Sequence, residues 1–275
     1  MVKLDFRSLD TPNFRLRVIS ALVMAPVALY AVSGGGFLFT VMVIGIALMG
    51  LREWLRLVDA HMLKPVADLT AVVVLATLLL GAWVSPLVGL VIGVLGTAAV
   101  YAFSTYRRQP FQRWIALGVP YMAVTGLALF YLRAQVNGDG LIYYLLAVVW
   151  GCDIGAYLSG RLIGGAKLAP VISPNKTWAG LFGGMALAAI CGYAVATGFN
   201  AQRAAVGVGL ALVMAAVSQL GDLFESYFKR RSGVKESSGL IPGHGGVLDR
   251  IDSLVFASMF FVIFQIALGA HMRWW

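Results

Sequence analysis

Residues 218–253 read SQLGDLFESYFKRRSGVKESSGLIPGHGGVLDRIDS. In a chain of 275 residues that is 60% hydrophobic and only 12% charged, this stretch gathers Asp222, Glu225, Lys229, Arg230, Arg231, Lys235, Glu236, Asp249, Arg250 and Asp252. Apolar residues run into Asp222 from Ala211 and out of Asp252 toward Ala270, so both ends predict helices. Between them lies a polar connection containing Pro242-Gly243-His244-Gly245-Gly246. Asp222 and Glu225 stand three residues apart, as do Asp249 and Asp252, which places each pair on one helical face. Two acidic faces therefore meet a basic, glycine-rich loop.

Outward from this stretch the chain is apolar. Its mean hydropathy of +0.85 excludes an ordinary water-soluble domain, and uninterrupted apolar runs of about 17–25 residues, enough to cross a bilayer, recur throughout. The expected fold class is all-α: a polytopic integral membrane protein with about nine transmembrane helices, at 18–33, 37–51, 67–84, 86–104, 114–134, 140–160, 178–198, 204–228 and 251–270. The first is read as a retained span, because no small-residue cleavage site of a signal peptide follows it clearly. Ser85-Pro86 divides the third and fourth spans, with one interrupted element as the alternative reading there. Residues 1–135 are expected to form scaffold helices with a dimer contact among their roles. Residues 136–275 are expected to form the catalytic region, with a polar cleft facing the cytoplasm.

Charge sets the orientation. With the N-terminus inside, every Lys and Arg except Arg133, Arg203 and Arg273 falls on the inner side, the bias of a cytoplasmic N-terminus and an external C-terminus. The loops at 161–177 and 229–250 then share the cytoplasmic face. The net charge of +9 thus reports topology and anionic head groups or phosphates, and nucleic acid is not an expected partner. Arg52, Arg56, Arg107, Arg108 and Arg231 are read as such topology residues. The two cysteines, Cys152 and Cys191, lie in apolar runs without a CxxC or Cys/His pattern and read as buried small hydrophobes.

Asp222 sits about two turns inside its span, a costly place for a carboxylate without a cation, water or partner. Its readings are a functional site or an ion pair with Arg161, Lys176 or Arg250. Asp249 and Asp252 open the last span, where a helix dipole favours acids singly. Two on one face, with Asp222 arriving from another helix, point to a hard cation bound through oxygen. Asp222, Asp249 and Asp252 are therefore the expected metal ligands, and sparse carboxylates completed by water and phosphates suit Mg2+. The amides of PGHGG, including Gly245 and Gly246, are expected to approach an anion among Lys229, Arg230, Lys235 and Arg250. For His244 three readings stand: general acid, phosphate contact or turn residue. Upstream, Asp153, Tyr157 and Arg161 follow i, i+4, i+8 spacing on one face. Then come Ser173-Pro174-Asn175-Lys176-Thr177-Trp178, with Ser173 and Pro174 read as a helix start and Lys176 as an anion site beside it.

Three stretches of the chain together resemble the phosphatidate cytidylyltransferases, or CDP-diacylglycerol synthases. The carriers are Ser226-Tyr-Phe-Lys229-Arg230, Lys235, the run Pro242-Gly-His-Gly-Gly-Val-Leu-Asp249-Arg250-Ile-Asp252, and upstream Asp153 to Arg161 and SPNKTW. The resemblance covers roughly the second half. It implies an all-helical membrane enzyme of the bacterial inner membrane, usually a homodimer, that joins CTP to phosphatidic acid to give CDP-diacylglycerol and pyrophosphate. It also implies Mg2+ with a neighbouring K+, and maps the acidic metal site onto Asp222, Asp249 and Asp252. Catalytic roles then fall to these three with Lys229 and Arg230. Substrate binding falls to Asp153, Tyr157, Arg161, Ser173, Lys176, Thr177, Lys235, His244, Gly245, Gly246 and Arg250.

Two positions depart from the family pattern. Glu236 stands where an aspartate follows the lysine, and Ala179 stands where a glutamate follows Thr-Trp, which leaves a paralogue acting on another lipid phosphate as an alternative. An ion-coupled secondary transporter using the intramembrane carboxylates would predict paired broken helices in an inverted repeat, and no repeat is found. The motif of the CDP-alcohol phosphotransferases, DGxxAR…GxxxD…D, is absent from the sequence.

Overall fold

A computed structural model describes residues 12–269 and 274–275. Among these, nine α-helices follow in order: α1 (Pro12–Gly34), α2 (Gly36–Val58), α3 (Lys64–Trp83), α4 (Pro86–Tyr106), α5 (Gln112–Arg133), α6 (Gly138–Leu162), α7 (Trp178–Gly198), α8 (Ala204–Arg231) and α9 (Leu248–Phe264). Eight stretches, from α2 to α9, are long and apolar enough to cross a membrane, and α1 carries a shorter apolar stretch, Leu22–Gly34. The helical membrane fold is thus as expected. Lys3, Arg7 and Arg273, used above to orient the chain, lie outside the described residues.

The division at Ser85-Pro86 is a true break. Ser85 is extended, its side chain accepts from the Val88 amide at 3.2 Å, and Pro86 begins α4 where its missing N–H costs nothing. α5 is the most enclosed span, with 72% of its apolar window buried; it packs against α2, α3, α4, α6 and α9. At one end of the bundle, Trp54 of α2 sits 4.8 Å from Tyr121 of α5 and 4.6 Å from Phe228 of α8, while Phe224 reaches Phe256 of α9 at 5.6 Å. Aromatic pairs of this kind are worth about 0.5–1.5 kcal/mol each beyond burial, and here they tie α2, α5, α8 and α9 together beneath the polar loops. At the opposite end Tyr144 packs between Phe261 and Trp274, and the Trp274 indole donates to Gln265 Oε1 at 2.8 Å.

Two features differ from the sequence reading. α2 continues to Val58, so Arg52, Glu53 and Arg56 are helical rather than loop residues. The segment at 161–177 is not a plain loop: Lys167–Ala169 (β1) pairs antiparallel with Ser173–Thr177 (β2). Ser173 is therefore not the cap of α7. That role belongs to Thr177, whose hydroxyl accepts from the Gly180 amide at 3.0 Å. Ser173 is a strand residue paired with Ala169, and Pro174 lies within the exposed part of β2.

Candidate active site

α8 and α9 approach closely because Gly221 has no side chain. A Cβ there would lie 2.4 Å from the Asp252 carbonyl oxygen, so any other residue would force the helices apart. The contact sets Asp222 beside the first turns of α9. Above it the chain 232–247 closes a cavity of about 340 Å3, lined among others by Asp222, Lys229, Lys235, Asp249, Arg250 and Asp252. The two acidic faces and the basic loop thus converge at one end of the bundle.

Asp249 is fully engaged. Oδ1 accepts from Lys229 Nζ at 2.7 Å; Oδ2 accepts from the Ser237 amide at 2.9 Å, the Ser237 hydroxyl at 2.8 Å and the Gly246 amide at 2.8 Å. Lys229 also pairs with Glu225 one turn earlier, a carboxylate with no exposed side chain. Lys229 is therefore the counter-charge of two acids, not an idle phosphate ligand, and removing either partner would leave a buried charge behind.

Asp222 meets the ion-pair reading as well. Its Oδ2 lies 2.6 Å from Lys176 Nζ, and its Oδ1 accepts from Ser226 at 3.1 Å. Lys176 donates in addition to Gln219 Oε1 at 2.8 Å. The β hairpin presents this lysine to α8, and Arg230 Nε donating to the Ile172 carbonyl at 3.3 Å joins the same two segments. Asp252 is different. It is 8% exposed, accepts the Ser253 amide at 2.7 Å, and among the described residues no cation lies within ion-pair distance. Its charged neighbours are the acids Asp222, Glu225 and Asp153.

The glycine-rich loop braces itself. Ile241 donates to the Gly245 carbonyl at 2.8 Å, His244 donates through its amide to Ile241 at 2.9 Å, and Gly246 spends its amide on Asp249. Only part of the expected amide cradle is left to face an anion. The Gly245 amide donates to nothing among the described residues, and Gly245 holds φ +80°, the left-handed region that favours glycine. A Cβ on Gly246 would fall 2.0 Å from Ser237 Oγ and 2.5 Å from Glu53 Oε2. His244 Nδ1 lies 2.5 Å from Ser20 Oγ of α1, which favours its reading as a residue holding the turn.

Lys235 and Arg250 are the cleft's available cations: both line it, both are exposed, and neither makes an ion pair among the described residues. Glu236, one of the departures, lines the same cavity, whereas Ala179 sits in the first turn of α7. Asp153 is an electrostatic neighbour of Asp222, Lys176 and Arg250. Arg161 donates to the Tyr157 hydroxyl at 2.7 Å, as their shared face requires. Arg230 also donates to the Val234 carbonyl at 3.1 Å, so it braces the loop.

Four residues escaped the sequence reading: Glu53, Gln219, Ser237 and Ser238. Glu53, 3% exposed, accepts from the Val247 amide at 3.1 Å, the Leu248 amide at 2.7 Å, Ser237 at 3.1 Å and Ser238 at 2.5 Å. Its signal was present in the pattern. Gly50, Trp54 and Leu57 flank it at helical spacing and are all buried, so the acid occupies a core-facing position.

The expected three-carboxylate metal set is not preformed. Among the described residues no three His, Cys, Asp or Glu converge in a metal-binding group, and Asp249 has four donors around its two oxygens. The donor chemistry nevertheless fits a cation at Asp222 and Asp252. Among the described residues, Asp222, Glu225, Asp249 and Asp252 are met directly by two lysines, Lys176 and Lys229, and oxygen-rich excess negative charge is what a hard divalent ion neutralises.

The profile of the cytidylyltransferase family matches residues 15–268 of this chain. A phosphatidate cytidylyltransferase of Brucella suis biovar 1 (strain 1330) is 39% identical over 259 residues, 92% of this chain and 93% of the relative. One from Pseudomonas aeruginosa (strain ATCC 15692 / DSM 22644 / CIP 104116 / JCM 14847 / LMG 12228 / 1C / PRS 101 / PAO1) is 40% identical over 271 residues, covering 92% and 97%. A third, from Staphylococcus aureus (strain COL), is 34% identical over 256 residues, covering 88% and 95%. With an acidic cleft built on the matched region of a chain of long apolar helices, the chain belongs to the cytidylyltransferase family.

Proposed function

We propose that this protein is a phosphatidate cytidylyltransferase, transferring CMP from CTP to phosphatidic acid with release of pyrophosphate. The observation that carries the reading is the cleft itself: Asp222 and Asp252 from separate spans, with Lys235 and Arg250 beside them and making no ion pair among the described residues, where a lipid head group and an aqueous nucleotide would meet. Family membership and the names of the relatives supply the substrates.

A phosphate monoester has a second pKa of about 6 and is already a nucleophile near neutral pH. No general base is required, which matches a site whose acids are paired with lysine or buried. A phosphatidic acid oxygen attacks the α-phosphorus of CTP; the new P–O bond forms as the bond to the β-phosphate oxygen breaks, and pyrophosphate leaves with the electron pair. Lys235 and Arg250 bind the triphosphate and offset its charge, which is most of what phosphoryl transfer asks of a protein. Asp222 and Asp252 would hold Mg2+, which supplies charge neutralisation between the phosphates when bound. Lys229 and Asp249 keep the loop and the start of α9 in register.

The orientation belongs to the same reading: the cleft lies at the basic end of the bundle, so it faces the cytoplasm of an inner-membrane protein, with the C-terminus external. So does a homodimer, which a monomer mass by light scattering of detergent-solubilised protein would remove. Purified protein given labelled CTP, phosphatidic acid and Mg2+ is expected to form CDP-diacylglycerol and pyrophosphate in equal amounts. No CDP-lipid at any Mg2+ concentration would overturn the assignment.

A further inference from the structure

Four donors lie within hydrogen-bond reach of Glu53, a carboxylate of α2 that lies far in sequence from the acidic stretch it touches. Its Oε1 accepts from Ser238 Oγ at 2.5 Å and the Val247 amide at 3.1 Å; its Oε2 accepts from the Leu248 amide at 2.7 Å and Ser237 Oγ at 3.1 Å. It thereby satisfies two amides that open α9 and have no partner within that helix, and it does so from a different span. The residue is 3% exposed, and its neighbour Trp54 is locked by the indole donating to the Trp114 carbonyl at 2.9 Å, by stacking on Phe224 and by a tilted contact with Phe228. Glu53 is therefore a fixed point, and the loop is the part that is held.

The hold passes directly to Asp249 and the start of α9. Ser237 Oγ lies between Glu53 Oε2 at 3.1 Å and Asp249 Oδ2 at 2.8 Å. A hydroxyl carries one proton, so Ser237 serves one carboxylate at a time and couples the two. Gly246, whose amide donates to Asp249, is pressed so closely onto Ser237 and Glu53 that it admits no Cβ. Leu248, which donates to Glu53, is the residue before Asp249 and four before Asp252 on the same helix.

We propose that Glu53 is a positioning residue for the cytidylyl transfer, anchoring residues 237–248 so that Asp249, Arg250 and Asp252 present to the cleft in one arrangement. The role rests on the function proposed above. It also draws the N-terminal helices, expected as scaffold, into the site.

Glu53→Gln is the primary test. The amide keeps the shape but turns one oxygen into a donor, which then faces two donors of the loop. The variant is expected to lose at least tenfold in kcat, with a smaller change in KM for phosphatidic acid, and Glu53→Asp is expected to regain part of the loss. Hydrogen exchange at the Val247 and Leu248 amides, which reads the anchor without turnover, is expected to accelerate at least tenfold in Glu53→Gln. Wild-type kcat and KM in Glu53→Gln, or unchanged exchange at those amides, would overturn the proposal. If Glu53→Gln does not accumulate in the membrane, Ser238→Ala decides: it removes one donor without stranding a charge. A threefold or larger loss of kcat with faster exchange supports the anchor, and no change in either overturns it. If the wild-type protein makes no CDP-lipid, the assigned function falls, and exchange in Glu53→Gln alone decides whether Glu53 holds the loop.

Discussion

Asp249 and Asp252 stand three residues apart on one helix and have opposite surroundings. Asp249 collects a lysine, two amides and a hydroxyl; Asp252 is buried beside other acids with one amide for company. Their asparagine variants should therefore part in stability while agreeing in activity. Asp249→Asn is expected to abolish turnover, still accumulate, and melt at a lower temperature, since charge-assisted hydrogen bonds of about 1.5–3 kcal/mol each are lost. Asp252→Asn is expected to abolish turnover and to melt higher in the presence of a chelator, by roughly 1 kcal/mol or more, because it removes a buried acid that no cation among the described residues meets. Thermal unfolding of the detergent-solubilised variants checks both, and a destabilised Asp252→Asn would mean that its charge is compensated. The sequence displayed all the acids of the C-terminal stretch, and four of them, Asp222, Glu236, Asp249 and Asp252, line one cleft, while Glu225 is buried against Lys229. It could not show which were already paired, because Lys176 and Lys229 read equally well as phosphate ligands until their distances to Asp222 and Asp249 are known.

At the scale of elements, boundaries set by apolar length were readable and those set by polar partners were not. Ser85-Pro86 divides two spans as its capping chemistry requires, yet Ser173-Pro174, with the same two residue types, is part of a strand. The difference is that β1 supplies a partner for Ser173 and leaves the cap to Thr177. α2 likewise runs past the apolar run because Arg52 and Arg56 are exposed while Glu53 turns inward. The α8–α9 crossing offers a test of this scale. Gly221→Ala places a methyl against the Asp252 carbonyl, an overpacking of about 1–3 kcal/mol. It is expected to cut turnover at least tenfold by shifting the start of α9. Gly209→Ala on the same helix, where a Cβ meets nothing within 4 Å, is expected to leave turnover unchanged. Equal activities in the two variants would show that the close approach does not set the site.

For the whole molecule, hydropathy alone was sufficient for the class, and the lopsided distribution of Lys and Arg for a proposed orientation. What no local pattern contained was the joining of the halves: Trp54 and Glu53 from α2 lie beneath and beside residues of α8 and α9 that are far off in sequence. Lys235→Cys tests the orientation, since that position is exposed while Cys152 is buried and Cys191 partly so. A membrane-impermeant maleimide is expected to label it only after permeabilisation or in inverted vesicles; labelling in intact cells would place the cleft on the outer face.

The most direct test of the site is CDP-diacylglycerol formation by purified wild-type protein and Asp252→Asn, each titrated with Mg2+ from an excess of chelator. Wild type is expected to be silent in chelator and to rise with Mg2+, while Asp252→Asn stays at least a hundredfold lower throughout. Equal rates in the two proteins, or full wild-type activity in chelator, would contradict a cation held between Asp222 and Asp252.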